Sequence, residues 1–240
     1  MSQNFRLPSD IPIEDYPKSD VFVRESLRLI DVAQTKGLVL RIAGGVAFFL
    51  HSPDQQLLWS KLSRLGPRVF NDIDFMGYRR QREEVAKLLT KEDYELQSKF
   101  LMYYGVNRQI YYGRTVPMIE VFYDRLSMCH TVDLRERLET DSPTIPLVEL
   151  LLQKLQAFRF ADKDVKDCVL LLRSHDLGQD DKDKINLRML EKHGLFDDWG
   201  FHYTVVTNLN SVSKFVDDSS ILSNEDKSIV RSRIANMLSF

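Results

Sequence analysis

Apolar residues recur along the first part of the chain in two patterns, one helical and one typical of strands. Over residues 20–36 they return at helical spacing, and Gly37 ends the run, so the pattern predicts an amphipathic helix. Residues 79–91 are mostly charged, which predicts a surface helix. Short runs rich in branched and aromatic residues predict strands at 38–43, 69–75, 100–106, 109–112, 116–123 and 130–134.

The chain changes in character at Pro143. Beyond it the apolar spacing is helical, whereas residues 1–19 carry three prolines and predict an extended leader. We therefore expect an α/β (α+β) fold, in which a mixed-sheet domain covers 20–143 and a helical region over 144–240 packs on it. The helices predicted in this region are 147–160, 163–174, about 183–193, 200–216 and 224–238.

Composition narrows the functional classes. The chain has 240 residues, 43% of them hydrophobic, and a formal net charge of −2, so no overall positive charge indicates a nucleic-acid or anionic-membrane partner. Cys129 and Cys168 are far apart in sequence, which fits a reducing compartment rather than a disulfide framework. No signal-peptide core and no membrane-length apolar stretch is present, so we expect a cytoplasmic protein without a membrane partner.

Two acids interrupt one of the predicted strands. Asp72 and Asp74 lie two residues apart in the run 69–75, so in a strand their side chains point to the same face, about 7 Å apart. A carboxylate among apolar residues is costly unless it is paired or binds a cation. The pair therefore indicates a hard-cation site, most simply for Mg²⁺, and a strand end with two solvated aspartates is the alternative.

A glycine pair follows the predicted strand at 38–43. Gly44 and Gly45 separate this strand from the apolar residues 46–50, which predicts a strand, a tight turn and a buried helix. Glycines at such a turn let backbone N–H groups approach an anion closely, and the helix N-terminus adds partial positive charge. A phosphate-binding turn is one interpretation, and a turn required only for tight packing is the other.

A third acid lies in the predicted strand 116–123. If this strand pairs beside the one that carries the aspartates, Glu120 can approach them, because paired strands lie about 5 Å apart. Three clustered carboxylates can hold two divalent ions for in-line phosphoryl transfer. Asp124 is the rival third acid, but it lies at the expected end of the strand, whereas Glu120 is embedded in the apolar run.

The order of these motifs resembles the nucleotidyltransferase superfamily related to DNA polymerase beta. A glycine pair after a strand, the sequence Asp-Ile-Asp-Phe at 72–75 and an acid in a later strand carry the resemblance. The stretches 150–157 and 163–167 are similar to the AbiEii-type branch, which includes the nucleotidyltransferase components of some bacterial toxin–antitoxin systems. The resemblance covers residues 20–175. It implies a mixed-sheet catalytic domain, use of a nucleoside triphosphate with Mg²⁺, and the three acids as metal ligands.

Two features depart from the pattern of that family. The segment 46–71 is longer than in compact relatives, which predicts an insertion near 54–66 with a short helix around 57–65. Arg68 matches an arginine of the family, but Phe70 stands where many relatives carry serine or threonine. A module of this fold that binds a nucleotide or a partner without turnover is therefore the alternative to an enzyme, and a metal-dependent phosphohydrolase is a third hypothesis.

One lysine projects from an apolar helix face. The residues three and four positions before and after Lys154 are all apolar, so its ammonium should be buried and needs a partner. Contact with a triphosphate, a structural ion pair and snorkelling to water are the three alternatives. On the next predicted helix, Asp164 and Asp167 can serve as ligands or as partners in ion pairs.

Together these observations predict an Mg²⁺-dependent nucleotidyltransferase. It would transfer a nucleoside monophosphate from a nucleoside triphosphate, with ATP as the expected donor, to an unknown acceptor such as tRNA, protein or a small molecule. Glu120 is also the candidate base toward the acceptor hydroxyl. The expected ligands of two Mg²⁺ ions are Asp72, Asp74 and Glu120, and the expected phosphate contacts are Gly44, Gly45 and Lys154.

Overall fold

The computed structural model describes residues 7–100 and 107–240 of the chain. The chain forms two compact units, and segments of the two alternate along the sequence. The first unit comprises Met1–Ala47, Leu65–Arg125 and Leu134–Ile145. The second comprises Phe48–Arg64, Leu126–Asp133 and Pro146–Phe240. The sequence placed a single division near residue 143. The second unit also takes two earlier segments, and the first of these overlaps the predicted insertion.

The secondary structure combines short strands with helices, and the expected mixed α/β fold class is confirmed. The strands are β1 (Leu40–Ala43), β2 (Arg64–Pro67), β3 (Ile73–Gly77), β4 (Glu95–Leu96), β5 (Arg108–Tyr112), β6 (Met118–Tyr123), β7 (Arg125–Ser127), β8 (Thr131–Asp133), β9 (Asp176–Gly178) and β10 (Lys184–Asn186). The helices are α1 (Ser19–Thr35), α2 (Gly44–Leu50), α3 (Gln56–Leu62), α4 (Arg82–Lys91), α5 (Leu147–Leu155), α6 (Asp162–Ser174), α7 (Arg188–Lys192), α8 (Trp199–Asp218) and α9 (Asn224–Leu238).

A five-stranded mixed sheet lies at the centre of the first unit. Its strand order is β1–β3–β6–β5–β4, in which β3 and β6 are parallel and the other neighbours are antiparallel. The acid in β3 lies on the opposite face from its two sequence neighbours. Ile73 and Phe75 are fully buried on one face, and Asp74 between them is half-buried on the other.

Helix α1 covers part of this sheet, as its amphipathic sequence predicts. Phe22 and Leu29 are fully buried, and α1 contacts β1. Gly37, which ends the helical pattern in the sequence, has a φ of +69° just beyond the helix. This left-handed conformation favours glycine and reverses the chain towards β1.

The strand predicted at 69–75 begins later than expected, at Ile73. The hydroxyl of Tyr16 donates to the carbonyl oxygens of Phe70 and Asn71, at 3.0 and 3.3 Å. The single hydroxyl hydrogen is shared between these two carbonyls, so a side chain binds the backbone just before β3. The strands predicted at 109–112, 116–123 and 130–134 are confirmed by β5, β6 and β8. The strand predicted at 100–106 lies, apart from its first residue, outside the described residues.

The second unit is mainly helical, and its centre is α5. Every residue of α5 is buried, which accounts for its almost wholly apolar sequence. Helices α6, α8 and α9 pack on one another, and β9 and β10 form a parallel pair. Within residues 7–100 and 107–240, no helix combines the length and the apolar character needed to cross a bilayer.

Two helix predictions in this unit are wrong in their bounds. Helix α5 ends at Leu155 and not at residue 160. At this end the side-chain amide of Asn208 donates hydrogen bonds to the carbonyls of Leu155 and Ala157, at 2.8 Å each. The helix predicted at 183–193 is divided into β10 and α7. The Oδ1 atom of Asn186 accepts the backbone N–H of Arg188 at 3.2 Å, so a side chain satisfies an N–H at the start of the helix.

Candidate functional site

The parallel pairing of β3 with β6 brings two of the predicted acids together. Asp74 lies opposite Glu120 in this pairing, and side chains in register on neighbouring strands share a face of the sheet. On the other side of β3, Ala43 of β1 lies opposite Asp74, and Gly44 follows it. Three adjacent strands therefore place Asp74, Glu120 and the start of the glycine pair side by side.

Gly44 lies in close contact with the Asp74 carboxylate. It begins α2 directly after β1, with Gly45 as the next helical residue, and its φ is +58°. A Cβ at this position would lie 1.9 Å from Oδ2 of Asp74. Both the left-handed backbone and the close approach require glycine here. An anionic group thus lies close to this backbone, as the glycine pair predicts, but that group is the Asp74 carboxylate. Contact with a phosphate stays a prediction.

Replacing Gly44 with alanine is expected to destabilise the protein and to displace Asp74. Left-handed backbone strain and overpacking against the carboxylate should together lower the free energy of unfolding by about 2–4 kcal/mol. The measurement is urea denaturation.

The matched control for that experiment is Gly37→Ala. Gly37 shares the positive φ, but a Cβ there meets no atom within 4 Å. Gly37→Ala should therefore lower the free energy of unfolding only by the backbone strain, about 1–2 kcal/mol. Equal losses in the two variants would contradict the close contact between Gly44 and Asp74.

Asp72 immediately precedes β3 and lies in a different environment. Burial, followed by the charge of Asp72, raises the pKa of the Tyr16 phenol to about 12, and the charge of Arg68 opposes this shift. The guanidinium of Arg68 lies over the Tyr16 ring, 5.1 Å from its centroid, and donates to the carbonyl of Ile11 at 2.5 Å. Asp72 therefore belongs to a neighbourhood formed with Tyr16 and Arg68.

The aromatic residue at position 70 has a structural explanation. The Phe70 side chain is buried, and its ring centroid lies 5.8 Å from that of Phe22. The backbone carbonyl of Phe70 accepts the Tyr16 hydroxyl at 3.0 Å. Position 70 thus serves the core of the first unit, and the hydroxyl next to it comes from the N-terminal segment.

Glu120 forms a salt bridge that the sequence analysis missed. Its Oε2 atom accepts a hydrogen bond from Nη2 of Arg108 at 2.5 Å. Arg108 lies on β5, opposite Phe122, so it reaches Glu120 diagonally across two neighbouring strands. Only the register of β5 against β6 brings the two side chains together, and no sequence signal specified that register.

Asp124, the rival third acid, lies away from Asp74. Tyr123 pairs with Gly77, so Asp124 is four residues, about 13 Å, along the strand direction from the level of Asp74. The Oδ1 atom of Asp124 accepts the backbone N–H of Arg79 at 3.0 Å, just before α4. The register therefore favours Glu120 as the neighbour of Asp74.

The donor chemistry of Asp74 and Glu120 fits Mg²⁺, which prefers carboxylate and water oxygens. Within the part of the chain that the structure describes, no three His, Cys, Asp or Glu side chains form a group that could hold a metal ion. Two of the three expected ligands are thus neighbours on one face of the sheet. A three-carboxylate site would also need the Asp72 carboxylate as a ligand.

Lys154, on α5 in the second unit, is held by two carboxylates of α6. Its Nζ atom lies 2.9 Å from Oδ1 of Asp164 and 3.2 Å from Oδ2 of Asp167. Burial disfavours the charged form, but the Asp167 and Asp164 carboxylates outweigh it and hold the pKa of Lys154 above its ordinary value. The predicted burial of Lys154 is confirmed, and of the three alternatives the structure shows the ion pair. Contact with a triphosphate stays a prediction.

Arg64 completes this buried group. Its Nε and Nη2 atoms donate to the two carboxylate oxygens of Asp167, at 2.5 and 2.8 Å. The sequence analysis missed this pair because 103 residues separate its members. The available signal was an arginine next to Leu65 and two residues after Leu62 in the predicted insertion, since a buried guanidinium needs an acidic partner.

Comparison of the chain with protein-family models, with curated proteins and with solved structures gave no match.

Proposed function

We propose that the protein is an Mg²⁺-dependent nucleotidyltransferase. The observation that supports this most directly is the placement of Asp74 and Glu120 in register on parallel strands, beside the glycine that follows β1. Two acids on one face and a backbone that tolerates close approach are the features that a metal–polyphosphate complex requires.

In this proposal the three acids would hold the divalent ions. Asp74 and Glu120 lie on neighbouring strands and would supply oxygen ligands, and Asp72 would join them from the segment just before β3. Divalent ions bound there would neutralise the triphosphate and stabilise an in-line displacement at the α-phosphorus. Gly44 and Gly45, at the start of α2, are the proposed backbone contacts of the terminal phosphates.

The transfer itself joins the α-phosphorus to an acceptor hydroxyl oxygen and breaks its bond to the β-phosphate oxygen, so pyrophosphate leaves. Glu120 is the proposed acceptor of the hydroxyl proton. The acceptor belongs to tRNA, to a protein or to a small molecule, and ATP is the proposed donor. Lys154 takes no part in this scheme, since its ammonium is bound by Asp164 and Asp167.

Incubation with α- or γ-labelled ATP, Mg²⁺ and a cell extract tests the proposal. Transfer of a nucleoside monophosphate attaches the α-label to an acceptor and releases the γ-label as pyrophosphate. Release of the γ-label as inorganic phosphate would instead identify a phosphohydrolase. Attachment of the γ-label to an acceptor would identify a kinase and contradict the proposal. Fractionation of the extract would then identify the acceptor.

A second candidate is a nucleotide-binding module without turnover. It is favoured by the Arg108–Glu120 salt bridge, which already provides a counter-ion for the third acid. This candidate predicts that ATP binds with no product formed. The labelled-ATP assay distinguishes the two, because only the enzyme forms a product. Calorimetry tests the metal site that both share: ATP affinity should rise by at least about tenfold, or 1.4 kcal/mol, when Mg²⁺ is added, and equal affinity in excess chelator would contradict that site.

A further inference from the structure

The salt bridge between Arg108 and Glu120 lies on the face of the sheet that carries the proposed metal ligands. The two groups meet at 2.5 Å, with the Glu120 side chain 10% exposed and the Arg108 side chain 28% exposed. Asp74 is the register neighbour of Glu120 on the other side. The guanidinium therefore supplies the positive charge at a point where two carboxylates would otherwise lie side by side.

The guanidinium of Arg108 and a divalent ion compete for the Oε2 atom of Glu120. Carboxylate lone pairs that accept a charge-assisted N–H bond are engaged, and Mg²⁺ demands near-ideal geometry from its ligands. Coordination through the lone pair of Oε2 that accepts this N–H therefore requires the Arg108 contact to break, and the guanidinium repels a divalent ion bound elsewhere on the same carboxylate. The salt bridge therefore lowers the affinity of Glu120 for a divalent ion, which the sequence motif alone does not reveal.

The surroundings of Arg108 allow such a movement without a change of the strand. Its side chain is partly exposed, and its guanidinium lies 5.1 Å from the centroid of the Phe122 ring, which supports a cation over its face. The exposed part of the Arg108 side chain gives the guanidinium a direction towards solvent in which it can move away from Glu120. Once released, it would remain next to a site that receives a polyphosphate.

We propose that Arg108 is an exchangeable counter-ion, which releases Glu120 to a divalent ion and then binds the phosphates of the nucleotide. This inference rests on the proposed function. Arginine suits both roles, because its fork of N–H donors matches carboxylate and phosphate equally well. The exchange would make metal and nucleotide binding cooperative, since the nucleotide stabilises the released guanidinium.

The test is Arg108→Gln, with Arg114→Gln as the matched control. Arg114 is exposed on the loop between β5 and β6, so its replacement removes the same charge away from Glu120. Mn²⁺ binding without nucleotide should become at least about tenfold tighter in Arg108→Gln, because the competing charge-assisted hydrogen bond is gone. Binding of ATP in saturating Mg²⁺ should become at least about tenfold weaker. Arg114→Gln should change neither.

Unchanged Mn²⁺ affinity in a folded Arg108→Gln variant would overturn the exchange, as would unchanged ATP affinity. Should the variant fail to fold, modification of Arg108 by phenylglyoxal in the wild-type protein decides the question. The exchange predicts that Mg²⁺ alone speeds this modification and that Mg²⁺ with ATP slows it again. A rate that does not respond to Mg²⁺ would overturn it.

The same titrations distinguish this inference from the proposed function. Tighter Mn²⁺ binding in Arg108→Gln, lost again when Asp74→Asn is added, supports the exchange even if no transfer product forms, in which case only the transfer activity fails. Intact transfer with equal Mn²⁺ affinity in wild type and variant would overturn the exchange alone.

Discussion

Replacing Asp74 with asparagine is expected to abolish nucleotidyl transfer and to leave the fold intact. The change removes one charge from a carboxylate that lies in register with Glu120 and against Gly44. Transfer should fall by more than about 100-fold, because even residues that only orient metal ligands contribute 10–100-fold. Without metal the variant should be as stable as the wild type or slightly more stable, since repulsion between neighbouring carboxylates is relieved.

Transfer of the α-label and thermal melts in the presence of a chelator measure the two parts of this prediction. Asp124→Asn is the control, because asparagine tolerates the φ of +62° there and can still accept the N–H of Arg79. It should retain both activity and stability. A large drop of Tm in Asp74→Asn would mean that the carboxylate serves the fold instead of the reaction. Asp72→Asn should behave like Asp74→Asn if the three-acid site is correct.

Replacing Lys154 with methionine is expected to destabilise the protein strongly. Methionine keeps most of the apolar stem but leaves Asp164 without its ammonium partner, and Asp167 with Arg64 alone. Loss of one partner of a buried ion pair typically costs about 3–5 kcal/mol. Because the folded pKa of Lys154 lies above its ordinary value, the stabilisation is fully present at neutral pH and is lost only as the pH rises through the folded pKa.

Chemical denaturation of this variant is best compared with Lys166→Met. Lys166 pairs with Asp162, whose side chain is 68% exposed, so its replacement should cost less than about 1 kcal/mol. An ATP titration below the melting transition completes the experiment. A stable Lys154→Met with ATP binding weakened by about 1.5–3 kcal/mol would favour the triphosphate contact of the sequence hypothesis over the ion pair.

The strands of the candidate site could be predicted because their apolar runs are short, branched and bounded by glycine or proline. The sequence also suggested that Glu120 lies near Asp74, because an acid among apolar residues is costly unless it is paired or binds a cation. The partner of Glu120 could not be predicted. Arg108 meets it through the register of β5 on β6, which depends on packing of the whole sheet.

For Lys154, too, the features that depend on nearby residues could be predicted from the sequence, and those that depend on distant residues could not. Its burial follows from the apolar residues around it, although α5 ends at Leu155 and Phe158, one of those neighbours, is exposed. Its carboxylate partners on α6 lie close enough in sequence to be considered in advance. Arg64 is too distant in sequence for any periodicity to connect it with Asp167.

The alternation of the two units along the chain has a consequence for synthesis on the ribosome. Arg64 leaves the exit tunnel 103 residues before Asp167. Its guanidinium therefore cannot pair with that carboxylate until most of the first unit has been translated. The buried ion group of the second unit can close only when α6 has emerged. Nascent chains should therefore acquire protease resistance in this segment late, after the strands of the first unit are complete.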